Sequence, residues 1–390
     1  MSEQGLSFRS RHRRATGLRY VRIAVAVAVM TAAVALATAS IGLSAPAART
    51  HGSRLQISAM TYNLFQGTEL TNSAKARTLA ALLAAVPKDY GQVQATDFPE
   101  RAQAIAREAA RSKPDLIGLQ EAALWQTGPP SASLPPPPAT AVAYDFVKIL
   151  VDALNARGLH YAAVAVTRNA SGQAPGRFPF GFMNVRLTDR VAILARTDVP
   201  LTISDVQAGN FTHNTVISTL TGPRVVLGGW AAVDATLGGH TVRFVTTHLD
   251  SSSGTVRTAQ AAELVRGPLS TELPVMLTCD CNAVPASPPY AVLTAAGLKD
   301  SWLESEPATP GFTCCHESLL SPASILPLRV DYVFSRGGGL KAIADQIVGT
   351  DPGDRSAPSG FWPSDHAGLV ADLAQGTEPG PARPNYPRAS

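Results

Sequence analysis

Apolar positions recur along the chain with periods that separate strands from helices. Gln56–Asn63 reads as a strand rich in apolar, threonine and tyrosine positions. Ala102, Ile105, Ala106 and Ala109 recur at helical spacing and predict a helix over Pro99–Ser112. Pro99 suits its first position, and Lys113-Pro114-Asp115 ends it. The short apolar run Leu116–Leu119 reads as a buried strand, and Tyr144–Arg157 as an amphipathic helix closed by Gly158. Tyr161–Val166 and Val191–Ala195 are strand-like; Val225–Ala235 and Thr241–Thr247 flank Gly238-Gly239 as a hairpin. Thr255–Arg266 returns to helix, and Pro274–Thr278, Val330–Phe334 and Leu369–Leu373 are further strands. Strands outnumber helices and hairpins mix with strand–helix units, so the pattern predicts an α+β layered domain rather than a doubly wound sheet. No G-x-G-x-x-G or Walker loop follows a strand, which removes dinucleotide and P-loop chemistry.

Charge sets the ends apart from the middle. The chain carries a formal +4, but residues 1–22 hold six arginines against Glu3, a local +5 that leaves −1 for the rest. A basic domain that coats nucleic acid is thereby excluded, though a local basic groove is not. The basic head precedes an uncharged stretch, Ile23–Ala48, ending in Ala45-Pro46-Ala47-Ala48. That is the pattern of a secretory signal over residues 1–48, with an uncleaved signal anchor as the alternative. The bulk of the protein is therefore expected outside the cytoplasm, secreted or anchored to the cell membrane. One catalytic domain is expected over residues 54–373, followed by a disordered Pro/Gly tail over 374–390. Ser131–Pro138 reads as a surface insertion stiffened by polyproline geometry.

Six buried-looking strands end abruptly in ionisable or amide residues. The segments are Met60–Asn63, Leu119–Glu121, Thr247–Asp250, Leu277–Asn282, Arg329–Tyr332 and Pro363–His366. One such end is an ordinary solvated turn; six, supplying two histidines, several carboxylates and two asparagines, point to a ligand-binding rim. Carboxylate and amide oxygens are hard ligands suited to Mg²⁺. Two imidazoles beside a hard cation can activate water and stabilise a developing oxyanion, the parts that phosphoester hydrolysis needs.

Cys279, Cys281, Cys314 and Cys315 are the only cysteines. In an exported chain disulfides are the default, in any of three pairings, with zinc binding as the sharper alternative. On an extended segment Cys279 and Cys281 face away from Asp280 and Asn282, where they can tie this strand to the loop bearing Cys314 and Cys315.

In order, these motifs resemble the endonuclease/exonuclease/phosphatase superfamily over most of Ile57–Leu373, and especially its exported actinobacterial members with a Thr-Cys-Cys segment (here Thr313-Cys314-Cys315). The resemblance implies two mixed β-sheets packed face to face with helices outside, and a Mg²⁺-dependent hydrolase, Mn²⁺ or Ca²⁺ being alternatives. It implies that Glu121 is the principal metal ligand, with Asn63 and Asp365 beside it. His248 would act at the phosphate or leaving group, Asp280 on the nucleophilic water, and Asn282 on a phosphate oxygen. Asp331 would hold His366, which serves as base or phosphate stabiliser; Gln260 would support substrate binding. Asp189-Arg190 either brings Arg190 to the substrate phosphate or forms a structural ion pair. Cys279 and Cys281 replace the family's usual Gly and Phe around the central Asp and Asn.

The expected substrate is a phosphoester, from nucleic acid or a phospholipid head group, turned over by a monomer. Phe178–Met183 and Phe361-Trp362 are aromatic segments suited to transient contact with a membrane surface. A catalytically inactive binding module on the same scaffold is the reading from another class.

Overall fold

The computed structural model describes residues 54–375. The expected signal over 1–48 and residues 376–390 of the expected tail lie outside them; the last strand runs to Gln375, two residues past the expected domain end. Among the described residues no helix is long and apolar enough to cross a membrane.

Two mixed sheets form the frame. The larger runs Leu340–Val348, Gly368–Gln375, Gln56–Asn63, Leu116–Gln120, Gly181–Arg196, Leu124–Gly128, Ala141–Asp145, with Tyr161–Phe178 also paired to Gly181–Arg196. The smaller runs Lys299–Asp300, Asp331–Arg336, Val275–Asp280, His240–His248, Gly229–Leu237, Leu201–Asn210. Side-chain parity assigns each strand's two faces. In Gln56–Asn63, Ile57 and Ala59 join the inter-sheet cluster with Leu116, Ile193, Phe244, Met276 and Val333. Met60 and Tyr62 face outward, under the helices Leu79–Ala95, Phe98–Ser112 and Phe146–Asn155. The helices Gly254–Arg266 and Pro288–Ala295 cover the smaller sheet through Ala261, Leu264 and Leu293. The result is the expected α+β sandwich.

The inter-sheet layer turns polar toward one end. Thr61 Oγ1 donates to Gln120 Oε1 at 3.3 Å, and Gln120 Nε2 donates to Thr246 Oγ1 at 3.0 Å, so the sheets are hydrogen-bonded to each other there. A Cβ on Gly118 would collide with Thr278 Oγ1 and Thr246 Oγ1, so glycine is what lets the sheets approach this closely.

Several boundaries differ from the sequence expectation, each for a local reason. Tyr144 and Asp145 close a strand, and the helix begins at Phe146 because the Asp145 side chain accepts from Lys148 N at 3.3 Å. The run Val225–Ala235 breaks at Leu227-Gly228, where Gly228 N donates to Asn214 Oδ1 at 2.9 Å; Gly222–Val226 pairs instead with Thr215–Thr219. The sulfurs of Cys279 and Cys281 meet, as do those of Cys314 and Cys315. Each pair is local, so the expected tie between strand and loop is not made: Cys279 and Cys281 sit in the apolar cluster beneath the outer helices.

Candidate active site

Strand register assembles the site. His248 pairs with Asp280 across parallel strands, and Asp280 pairs with Asp331 across antiparallel ones. In the other sheet Asn63 pairs with Gln120, immediately before Glu121. Asn63, Gln120, His248, Asp280 and Asp331 all have the parity of inter-sheet residues on their strands, so they extend that layer to its polar edge. Three turns there hold left-handed backbone, with φ of 51° at Phe65, 49° at Glu121 and 47° at Asn282. Such conformations cost non-glycine residues about 1–3 kcal/mol each and are held by the surrounding contacts.

Asp280 is the centre of the network. Its Oδ2 accepts from Asn63 Nδ2 at 2.9 Å and lies 3.4 Å from His248 Nε2 and 3.7 Å from His366 Nε2; its Oδ1 accepts from Asn282 N at 2.9 Å. Asn282 Nδ2 is 2.9 Å from His248 Nε2 and donates to Leu249 O at 3.0 Å. His366 Nδ1 is 2.9 Å from Asp331 Oδ2, which fixes the ring and leaves Nε2 facing Asp280. Asp331 Oδ1 is buried without a partner. Burial works against charge on His366, but Asp331, Asp280 and Asp365 outweigh it and raise its pKa well above the usual range. Burial raises the Asp280 carboxyl, but His248 and His366 outweigh it and hold it below the usual range.

A second group of carboxylates lies beside this one. Burial, with Glu121 and Glu69 pushing the same way, raises Asp365 to about 7. Burial and Glu121 likewise raise Glu69. Glu121 Oε2 accepts from Gln66 N at 2.7 Å. Asp365 and Glu69, with Glu121 beside both, form a cluster of carboxylate oxygens that fits a hard divalent cation such as Mg²⁺. Asn63 Oδ1 also accepts from Phe65 N at 2.9 Å, so its amide holds both Asp280 and its own turn.

Arg101 ties the carrying segments together. Its guanidinium donates to Leu64 O and Pro363 O at 2.8 Å, to Thr96 O at 2.8 Å and to Phe65 O at 2.9 Å. The loop after Asn63 and the loop before Asp365 thus share one buried cation.

Arg190 and Gln260, both named as candidates for the substrate, are bonded within the protein. Arg190 donates to Ala122 O at 2.7 Å, Ala123 O at 3.1 Å and Asp145 Oδ1 at 2.5 Å, so its charge is used inside the protein. Parity explains this: Arg190 shares the helix-covered face with Ala192 and Leu194, whereas Asp189 shares the inter-sheet face with Val191 and Ile193. It is Asp189 whose charge acts on His248, and Asn169 Nδ2 holds it at 2.9 Å. Gln260 is also internal: its Oε1 accepts from Asp250 N at 2.8 Å and its Nε2 donates to His213 O at 3.0 Å, pinning the loop after His248. Sequence reading missed Glu69, Asp189 as a site residue, and Arg101. Strand parity identifies Asp189; nothing local marks the other two. Of the aromatic segments, Trp362 is fully buried, stacked on His316, while Phe180 remains 74% exposed.

Comparison with known proteins agrees with this geometry. Residues 60–366 match the model of the endonuclease/exonuclease/phosphatase family. Among solved structures, an endonuclease/exonuclease/phosphatase from Bacteroides vulgatus aligns with TM-score 0.53 at 16% identity, over 83% of this chain and 100% of that one. A family protein from Bacteroides thetaiotaomicron aligns with TM-score 0.52 at 18% identity, over 83% and 96%. A mannosyl-6-phosphatase from Bacteroides thetaiotaomicron VPI-5482 aligns with TM-score 0.51 at 18% identity, over 81% and 99%. No curated protein matches the chain.

Proposed function

Because the chain belongs to the endonuclease/exonuclease/phosphatase family and has the fold of its phosphoesterases, we propose that it is an exported hydrolase that cleaves a phosphodiester with a divalent cation, Mg²⁺ by preference. The observation that carries the reading is the pairing of Asp280, held by Asn63, with His366, held by Asp331. Glu121 and Asp365 would hold the cation, with Asn63 alongside; when bound, Mg²⁺ neutralises charge on the phosphoryl oxygens. Asp280 Oδ2 faces both imidazoles and accepts a proton from the attacking water. His366 presents Nε2 to a phosphoryl oxygen, its ring braced by Asp331. His248 and Asn282, in contact at 2.9 Å, serve the remaining oxygens.

A diester is favoured by how the nearby arginines are used. Arg101 and Arg190 are bonded to carbonyls and Asp145, and Arg257 donates to Asp250 O, Ser251 O and Asn282 O. With these guanidinium groups used inside the protein, the phosphate meets two imidazoles and the cation without the bidentate arginine clamp that suits the free oxygens of a monoester. Export is proposed from the basic, apolar and small-residue order of residues 1–48.

The test is turnover of bis-p-nitrophenyl phosphate and p-nitrophenyl phosphate, with Mg²⁺, Mn²⁺, Ca²⁺ or chelator. Metal-dependent cleavage of the diester, faster than of the monoester, is expected. No metal-dependent turnover of either, or of DNA, RNA and sphingomyelin, would leave the inactive binding module as the better account.

A further inference from the structure

The Cys314-Cys315 pair takes no part in that chemistry, yet it lies against it. Cys315 Sγ is 3.7 Å from His366 Nε2, and one ligand atom from each of Cys314, Cys315 and His366 falls within 4.8 Å of the others. Backbone bridges join Cys314 to both Leu328 and His366, so the sulfurs are held at this place by main chain. Asp331 occupies His366 Nδ1 at 2.9 Å, so Nε2 is the nitrogen left to face the sulfurs. A carboxylate bracing one nitrogen while the other meets a metal is the usual support of a histidine ligand. Two thiolates and an imidazole are a soft donor set that suits zinc, unlike the carboxylates of Glu121 and Asp365. Cys279 and Cys281 belong to no metal-capable group among the described residues.

We propose that Cys314 and Cys315, once reduced, form with His366 a zinc site that shuts off the hydrolytic centre. The site itself stands on the geometry; its inhibitory consequence rests on the hydrolase reading. A small dithiol gives two electrons and two protons to the sulfur–sulfur bond and becomes a disulfide, leaving two thiols. Zn²⁺ then displaces both thiol protons and the proton on His366 Nε2, all three passing to solvent, and takes the Nε2 lone pair. An imidazole engaged in this way cannot face a phosphoryl oxygen. Reoxidation removes both thiolates and with them the site, which makes zinc sensitivity a property of the reduced protein alone.

The experiment uses the full chain, reduced with a dithiol, desalted without oxygen, and titrated with Co²⁺ and Zn²⁺. Expected are one equivalent of Co²⁺ with sulfur-to-metal charge-transfer absorption, and Zn²⁺ binding in competition with a chromophoric chelator. The same protein reoxidised should lose the charge-transfer absorption and keep only the weaker zinc affinity of the carboxylate site. C314S/C315S should lose the absorption, and D331N should weaken Zn²⁺ binding by roughly 10–100-fold. Far-UV circular dichroism reports folding of each variant, and the reoxidised wild type tests the claim without any substitution. Equal zinc affinity in oxidised protein, or in reduced H366A, would overturn the site. Zinc binding without phosphoesterase activity would overturn the hydrolase reading and leave the site standing; metal-dependent hydrolysis untouched by one equivalent of zinc in reduced protein would overturn the shut-off.

Discussion

Asn63 Nδ2 donates to Asp280 Oδ2 at 2.9 Å, and this bond joins the two sheets at the edge where the site lies. N63A therefore leaves a buried carboxylate short of a donor and free to turn toward either imidazole. A loss of about 1–3 kcal/mol is expected, or roughly 10–100-fold in kcat at saturating Mg²⁺. Steady-state rates beside a thermal melt check it; unchanged kcat would mean that Asp280 is held by other contacts.

Glu121 is the carboxylate on which Asp365 and Glu69 both depend electrostatically. E121Q should raise the Mg²⁺ concentration for half-maximal activity by roughly 10–100-fold, with little change in the melting temperature. Chelator should abolish wild-type turnover, and readdition of Mg²⁺ restore it. Activity in E121Q at low Mg²⁺ equal to wild type would remove Glu121 from the ligand set.

Gly118 has no room for a side chain: a Cβ there would meet Thr278 Oγ1 and Thr246 Oγ1 of the facing sheet. G118A should destabilise the fold by about 1–3 kcal/mol through overpacking, read as a lower midpoint in urea with the slope unchanged. A wild-type midpoint would show that Thr246 and Thr278 rotate aside without cost.

Asp345 gives a pH signature away from the site. Burial, with Asp300 and Asp372 adding to it and Ser301 opposing, raises its carboxyl from 3.8 to about 7. A folded pKa above the unfolded one gives stability that is complete below about pH 3.8 and lost as pH rises through about 7. D345N keeps an acceptor for Ser301 Oγ, now 2.6 Å from Asp345 Oδ2. It should exceed wild type by about 1 kcal/mol at pH 8 and lose that advantage near pH 4. Parallel melts at the two pH values decide it: an advantage independent of pH would locate the effect elsewhere.

The site was legible where strands stop at polar residues, because a strand's last inward-facing position projects beyond the core. Asn63, His248 and Asp280 follow that rule; Asp331 instead opens its strand, which runs antiparallel to Val275–Asp280 and so brings its first residue to the same edge. For Arg190 the structural ion-pair alternative holds, with Asp145 as partner rather than Asp189, because parity turns Asp189 inward and Arg190 outward. The helix Leu79–Ala95 escaped notice because Pro87 and Gly91 interrupt it, and a breaker inside a helix is tolerated only when tertiary packing compensates. Arg101 could not be found from spacing, since its acceptors are carbonyl groups that carry no sequence signal. Nor does composition choose among cysteine pairings; chain geometry does.

Arg101 bonds to the carbonyls of both Leu64 and Pro363, residues from opposite ends of the domain. A nascent chain has the first of these long before the second. Synthesis must therefore pass Pro363 before the pocket can close around its buried cation, and any fragment ending short of that residue lacks both the clamp and His366. The candidate site is therefore complete only once the segment leading into Gly368–Gln375 has been made.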